Sequence, residues 1–166
     1  MNIRDYALTM AHYNRWMNQR LYAAAEKLSD EQRKADRGAF FGSIHATLNH
    51  LLLGDQAWMQ RFAGEPVTMK SPRDELFADF QELRAASEAM DEKILAWAGT
   101  LTDEFADREY RFYSVSYQRE RALPQYATIL QLFNHQTHHR GQVTTLLSQL
   151  GVDMGITDIP WMPLFD

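Results

Sequence analysis

The stretch PQYATILQLFNHQTHHRGQVTTLLSQL, residues 124–150, reads as one long amphipathic helix. Leu132, Val143, Leu146 and Leu150 recur at spacings built from three and four, which puts them on one face. Pro124 suits the helix start and Gly151 the position just past its end. The gap in this apolar stripe is filled, at the same spacing, by His135 and His139. The polar stripe runs through Gln131, Gln142, Thr145 and Gln149, and His138 falls on it. Two imidazoles therefore point inward, and His138 points toward solvent or a partner. Side chains four apart on a helix face nearly the same way, so His135 and His139 can bind one metal ion without distorting the backbone. Without an ion each needs another partner, because buried polar groups are costly unless satisfied.

Three more helices lie upstream. The first spans about Ile3 to Leu28, with Ile3, Tyr6, Met10, Tyr13, Met17, Leu21 and Ala24 as its stripe. Ser29-Asp30-Glu31-Gln32 then reads as a capping box for a short turn. The second runs from about Ser43 to Phe62, carries Ile44, Leu48, Leu51, Leu52, Trp58 and Phe62, and stops at Gly64-Glu65-Pro66. The third opens at Ser71-Pro72-Arg73-Asp74-Glu75, where Ser71 can cap and the acids favour the positive end of the helix dipole. Leu76, Phe80, Leu83, Met90, Ile94 and Trp97 carry its stripe, and Gly99 ends it. About 25 residues between helices three and four do not read as helix. Tyr110 to Tyr117, rich in aromatic and β-branched residues, fits a short hairpin or an extended strap, and a connection this long is often functional. The apolar tail, Asp158 to Phe165, is expected to pack on the bundle. The fold expected is all-α: a single-domain four-helix bundle over residues 1–166 with a long, partly extended connection between helices three and four.

Composition narrows the function. The chain has 166 residues, a net charge of −5 and no cysteine. No run of Lys or Arg gives the basic footprint of a nucleic-acid binder. The lack of cysteine removes disulfides, thiolate ligands and a Cys nucleophile together. Neither a signal-peptide core nor a stretch of about 20 apolar residues is present, so a soluble, cytoplasmic protein with no membrane partner is expected.

A two-histidine site needs a further ligand from a facing helix, and helix two offers His45 and His50. His50 shares a side with Ser43, Ala46, Thr47, Gly54 and Ala57, a small-residue stripe that permits close approach. His45 lies nearer Asn49, Leu52 and Gln56. The helical wheel leaves both open. The spacing of His135 and His139 matches the H-E-x-x-H pattern of zinc proteases, but Gln136 stands where the general-base Glu belongs, which excludes that chemistry.

His135 to Val143, with its H-x-x-x-H-R-G-Q run, resembles the signature of the DinB/YfiT-like proteins. Leu48 to Trp58 resembles their helix-two ligand segment, and Tyr13 to Asn18 their first helix. The resemblance covers nearly the whole chain. It implies a four-helix bundle with a metal held by His50, His135 and His139, and so selects His50 over His45. It further implies a homodimer, a zinc, nickel or iron ion, and, from characterised relatives, thiol-dependent S-transfer or isomerisation of a small-molecule substrate.

Three neutral imidazoles leave an ion its full charge and an open position, the pattern of a catalytic site. The expected function is a metal-dependent transferase that activates a low-molecular-weight thiol. The alternatives are a hydrolase using metal-bound water and a non-enzymatic metal-binding stress protein. Asp55 lies in the apolar stripe of helix two and is expected to pair with an arginine such as Arg140. Asn14 and Asn49 are read as polar contacts between helices, His12 as a surface residue, and Trp16, Trp58 and Trp97 as core. Trp161 and the Tyr110–Tyr117 segment are candidates for the walls of a substrate cleft.

Overall fold

Helix α1 (Ile3–Ala25) starts where the Asn2 side chain accepts a hydrogen bond from the backbone N–H of Asp5. The capping box read at Ser29 is present with Gln32 and starts the one-turn helix α2 (Asp30–Lys34). Ser43 caps α3 (Ile44–Ala63), and Gly64 ends it in the left-handed conformation at φ 70°. These features are in the computed structural model, which describes residues 1–114 and 117–165.

The third long helix starts later than its sequence suggests. Helix α4 spans Phe80–Ala98 and is capped by Asp79, not Ser71. The reason lies in competing side-chain bonds. Asp74 Oδ2 accepts from the backbone N–H groups of Lys70 and Ser71, and Asn49 Oδ1 accepts from those of Leu76 and Phe77. With these donors engaged, residues 64–79 run as an irregular linker across α3.

After the short α5 (Asp103–Ala106), strands β1 (Glu109–Ser114) and β2 (Arg119–Pro124) form an antiparallel hairpin. Phe112 lies opposite Arg121 and Ser114 opposite Arg119. The aromatic segment is therefore a hairpin, with Val115 and Ser116 outside the described residues. Helix α6 (Gln125–Gln149) follows directly, and the tail adds two 3-10 turns, Ile159–Trp161 and Pro163–Phe165.

In the bundle α1 packs against α4 and α6, and α3 packs against the same two, so α1 and α3 occupy opposite corners. The core has two apolar halves. One holds Met17, Leu21, Ile44, Leu48, Leu83 and Leu147, and the other Ala11, Met59, Ile94, Ile129, Leu132 and Phe133. Between them in every long helix come buried polar residues: Asn14 and Asn18, Asp55, Asp91, Gln136 and Arg140. The tail closes the first half through Met154 and Met162, held by the Tyr13 hydroxyl donating to the Thr157 carbonyl at 2.8 Å. No helix among the described residues is long and apolar enough to cross a membrane.

Candidate metal centre

Helices α3 and α6 pack side by side, and the structure brings His50, His135 and His139 together across that seam. One ring nitrogen from each falls within 4.8 Å of the other two. His50 Nε2 and His135 Nε2 are 3.0 Å apart. Two nitrogens bound about 2.0–2.1 Å from one tetrahedral zinc would be roughly 3.3 Å apart, so His50 and His135 stand near the spacing of two ligands of one ion, with His139 in reach as the third.

The close approach depends on Gly54. A Cβ there would stand 2.7 Å from His135 Cε1, and only a residue without a side chain leaves room for the ring. The ring of Phe41 stacks on His50 with centroids 3.8 Å apart and packs edge-on against His139.

Ring orientation is set from outside the cluster. His50 Nδ1–H donates to the Pro72 carbonyl at 2.8 Å, and His139 Nδ1–H donates to Gln142 Oε1 at 2.8 Å. Each bond fixes a tautomer whose Nε2 lone pair is free to ligate, the usual arrangement around metal-binding imidazoles. Pro72 acts from the irregular linker, through its backbone. His135 Nδ1 is buried and has no hydrogen-bond partner among the described residues.

All three imidazoles are held neutral. Burial, with the neighbouring imidazoles adding to it, lowers the pKa of His50 to about 4 and that of His135 to about 3. His139 is lowered by burial too, against the opposing bond to Gln142. Neutral imidazole is the form that ligates.

The remaining histidines stand apart. His45 is buried with Nε2 2.9 Å from the Phe77 carbonyl, so it secures the linker. His138 is exposed beside Gln142, as its place on the polar stripe implies. His12 is half-buried near Arg15.

Asp55 makes a different contact from the one expected. Gln136 stands between it and Arg140: Gln136 Nε2 donates to Asp55 Oδ2, and Gln136 Oε1 accepts from Arg140 Nη1 at 3.3 Å. Arg140 also donates to Asn14 Oδ1 at 2.7 Å. A direct ion pair is replaced by an amide relay because Gln136, between the two histidines, faces the bundle axis and is fully buried. Burial, and then Asp91, push the Asp55 carboxyl well above the usual carboxylate range.

An open cleft of about 470 Å³ begins at His50 and His135 and runs along α3 beneath the hairpin. Trp58, Phe112, Arg61, Arg119 and Arg121 line it. Trp58 is thus both half-buried core and cleft wall. Trp161 belongs elsewhere: it is exposed and borders a separate hollow with Tyr13 and Thr157. Several of these residues are less conspicuous in the sequence than the histidines. Gln142, three places after His139, and Arg119 with Arg121, two apart on a strand, carry a spacing signal. Phe41 and the Pro72 carbonyl carry none, since only the folded path of the chain brings them to the site.

Comparison with known proteins agrees with this architecture. The sequence model of the DinB family matches residues 1–164. The chain is 25% identical over 158 residues to Protein DinB of Bacillus subtilis strain 168, covering 93% of this chain and 91% of that one. A crystal structure of a DinB-like protein from Bacillus cereus superposes with a TM-score of 0.58 at 17% identity, covering 84% of this chain and 89% of that one. That likeness is one of fold.

Proposed function

The chain belongs to the DinB family, and on that premise we propose that His50, His135 and His139 hold one divalent transition-metal ion that activates a low-molecular-weight thiol toward a small electrophile. The observation that carries the reading is the convergence of three neutral imidazoles with Nδ1 of His50 and His139 tied to oxygen acceptors. Zinc, nickel and iron all suit imidazole ligands.

When bound, such an ion supplies Lewis acidity that lowers the pKa of a coordinated thiol or water. The chain's own residues supply the rest. Pro72 and Gln142 keep the rings aimed, and Phe41 covers His50 from solvent. The cleft presents the aromatic faces of Trp58 and Phe112 to the body of a substrate. Among the described residues the lining carries no Asp or Glu, so a thiol or a water held at the ion would owe the loss of its proton to the ion and not to a carboxylate base. The thiol reading comes from the family likeness, and hydrolysis is the alternative.

The test starts with elemental analysis of untagged protein beside a His135→Ala/His139→Ala variant. About one ion per chain in the wild type, lost in the variant, supports the site. No ion in either protein after reconstitution with zinc, nickel and iron overturns it. With the ion in place, transfer of a thiol to an electrophile supports the reaction class, and hydrolysis without thiol favours the alternative. Stoichiometric metal without turnover leaves a metal-binding protein. The homodimer implied by the family is part of the same reading and is checked by sedimentation equilibrium.

A further inference from the structure

The cleft beside the three histidines is cationic in an acidic protein. The chain carries a net charge of −5, yet the described lining contains Arg61, Arg119 and Arg121 and no acidic residue. The arginines that form ion pairs among the described residues are others: Arg15, Arg33, Arg84 and Arg111.

Two elements bring these charges together. On α3, His50, Gly54, Trp58 and Arg61 share one face at helical spacing, all four lining the cleft. Arg61 is half-buried, its guanidinium 4.8 Å from the Trp58 ring centroid and 5.2 Å from that of Phe112. On the hairpin, register places Phe112 and Ser114 opposite Arg121 and Arg119, so all four project from one face of the ribbon, and that face closes the cleft. Arg119 and Arg121 are about 7 Å apart along the strand, and both line the cleft that Arg61 lines from α3. The eleven steps from His50 to Arg61 amount to about 16 Å of helix. Arg61 thus starts about three turns of α3 from His50, with Trp58 between them on the same face.

Guanidinium groups recognise carboxylate and phosphate oxygens by paired N–H donors, and do so best where water is partly excluded. Contact with two rings restricts where the Arg61 guanidinium can lie and leaves N–H groups to donate.

We propose that the cleft binds a small organic anion, a carboxylate or a phosphate monoester, whose oxyanion is held by Arg61, Arg119 and Arg121. Its apolar body lies along the wall that Trp58 and Phe112 form together, their rings edge-to-face with centroids 5.5 Å apart, and its reactive end reaches His50 and His135. This substrate class rests on the reading of the three histidines as the reactive centre; binding of the anion does not require the ion.

The experiment is isothermal titration calorimetry with 4-phenylbutyrate, phenyl phosphate and the neutral amide 4-phenylbutyramide. The proteins are wild type, Arg119→Gln/Arg121→Gln, and the metal-site variant His135→Ala/His139→Ala. At least one anion is expected to bind wild type tenfold or more tightly than the amide, with affinity falling as salt is raised. The arginine variant should lose at least tenfold in anion affinity while its metal content and helical circular dichroism stay at the wild-type level. The metal-site variant should keep the preference for anion over amide. Equal binding of anion and amide, no binding of any probe, or unchanged affinity in the arginine variant would overturn the proposal. Failure of the metal reading shows separately, as wild type that takes up no ion and still selects the anion.

Discussion

His135 sits against the bare Cα of Gly54, and this contact controls how closely α3 and α6 approach at the site. In Gly54→Ala the new methyl would lie 2.7 Å from His135 Cε1, so the ring must swing away from His50. We expect metal affinity, measured by chelator competition, to fall at least tenfold while the helical circular dichroism is retained. Unchanged affinity would mean that the ring has free space that the structure does not show. Gln142 acts one step further out, through the Nδ1–H of His139. Replacing a partner of this kind costs metal affinity by roughly 10–100-fold. Gln142→Leu should do so, with little change in melting temperature, since Gln142 lies at the edge of the bundle. His50 and His139 keep the ability to ligate only while their outer nitrogens stay protonated and bonded.

At the scale of elements, the linker between α3 and α4 delivers the Pro72 carbonyl to His50, and Asn49 pins that linker. Its side chain accepts from Leu76 and Phe77 N–H and donates to the Phe77 carbonyl at 3.0 Å. Asn49→Ala strands two backbone donors, those of Leu76 and Phe77, while the Phe77 carbonyl keeps its contact with His45 Nε2. Each buried group left unsatisfied costs about 1–3 kcal/mol, so denaturant unfolding should show a loss of several kcal/mol at most, eased by water entering the linker. The same variant should bind metal more weakly, because the Pro72 carbonyl is no longer held against the ring. Wild-type stability in that variant would show that the linker is held by other contacts. The helices were legible in the sequence because their stripes and caps are local. The start of α4 was not: Ser71-Pro72 carries a good helix-start pattern, and side chains of Asn49 and Asp74 claim the N–H groups that a helix would use. The hairpin was legible as an aromatic, β-branched run, but the face that closes the cleft emerges only from the strand register.

Across the whole molecule, a polar layer separates two apolar halves of the core. Asn18 Nδ2 donates to Asp91 Oδ1 at 2.8 Å, and Gln136 joins Asp55 to Arg140. Burial raises the Asp91 pKa to about 7, above its ordinary value of 3.8. The folded state then holds a proton that the unfolded chain releases, so stability falls as pH rises between about 4 and 7. One such group changes stability by up to roughly 1 kcal/mol per pH unit. Below pH 6.5 the lowered histidine values act in the opposite sense, because the unfolded chain takes up protons that buried His50 and His135 refuse. Asp91→Asn should remove its own share: comparing urea unfolding of wild type and variant from pH 5 to 8 isolates it. A difference between the two that stays constant with pH would refute the assignment.

Spacing within one helix was enough to put His135 and His139 on the inner face and His138 outside, since helical phase is a local property of the chain. It was likewise enough to define four long helices and an apolar tail that seeks cover. The choice between His45 and His50 could not be made from the wheel, because it depends on which side of α3 meets α6. Packing decided it: Gly54 lets α6 come close on the side of His50, while His45 turns to the linker. The polar relay through Gln136, the carbonyl of Pro72 on His50 and the three arginines around one cleft all join residues distant in sequence. Their meeting is a consequence of how the helices and hairpin stack, which no single segment of the chain encodes.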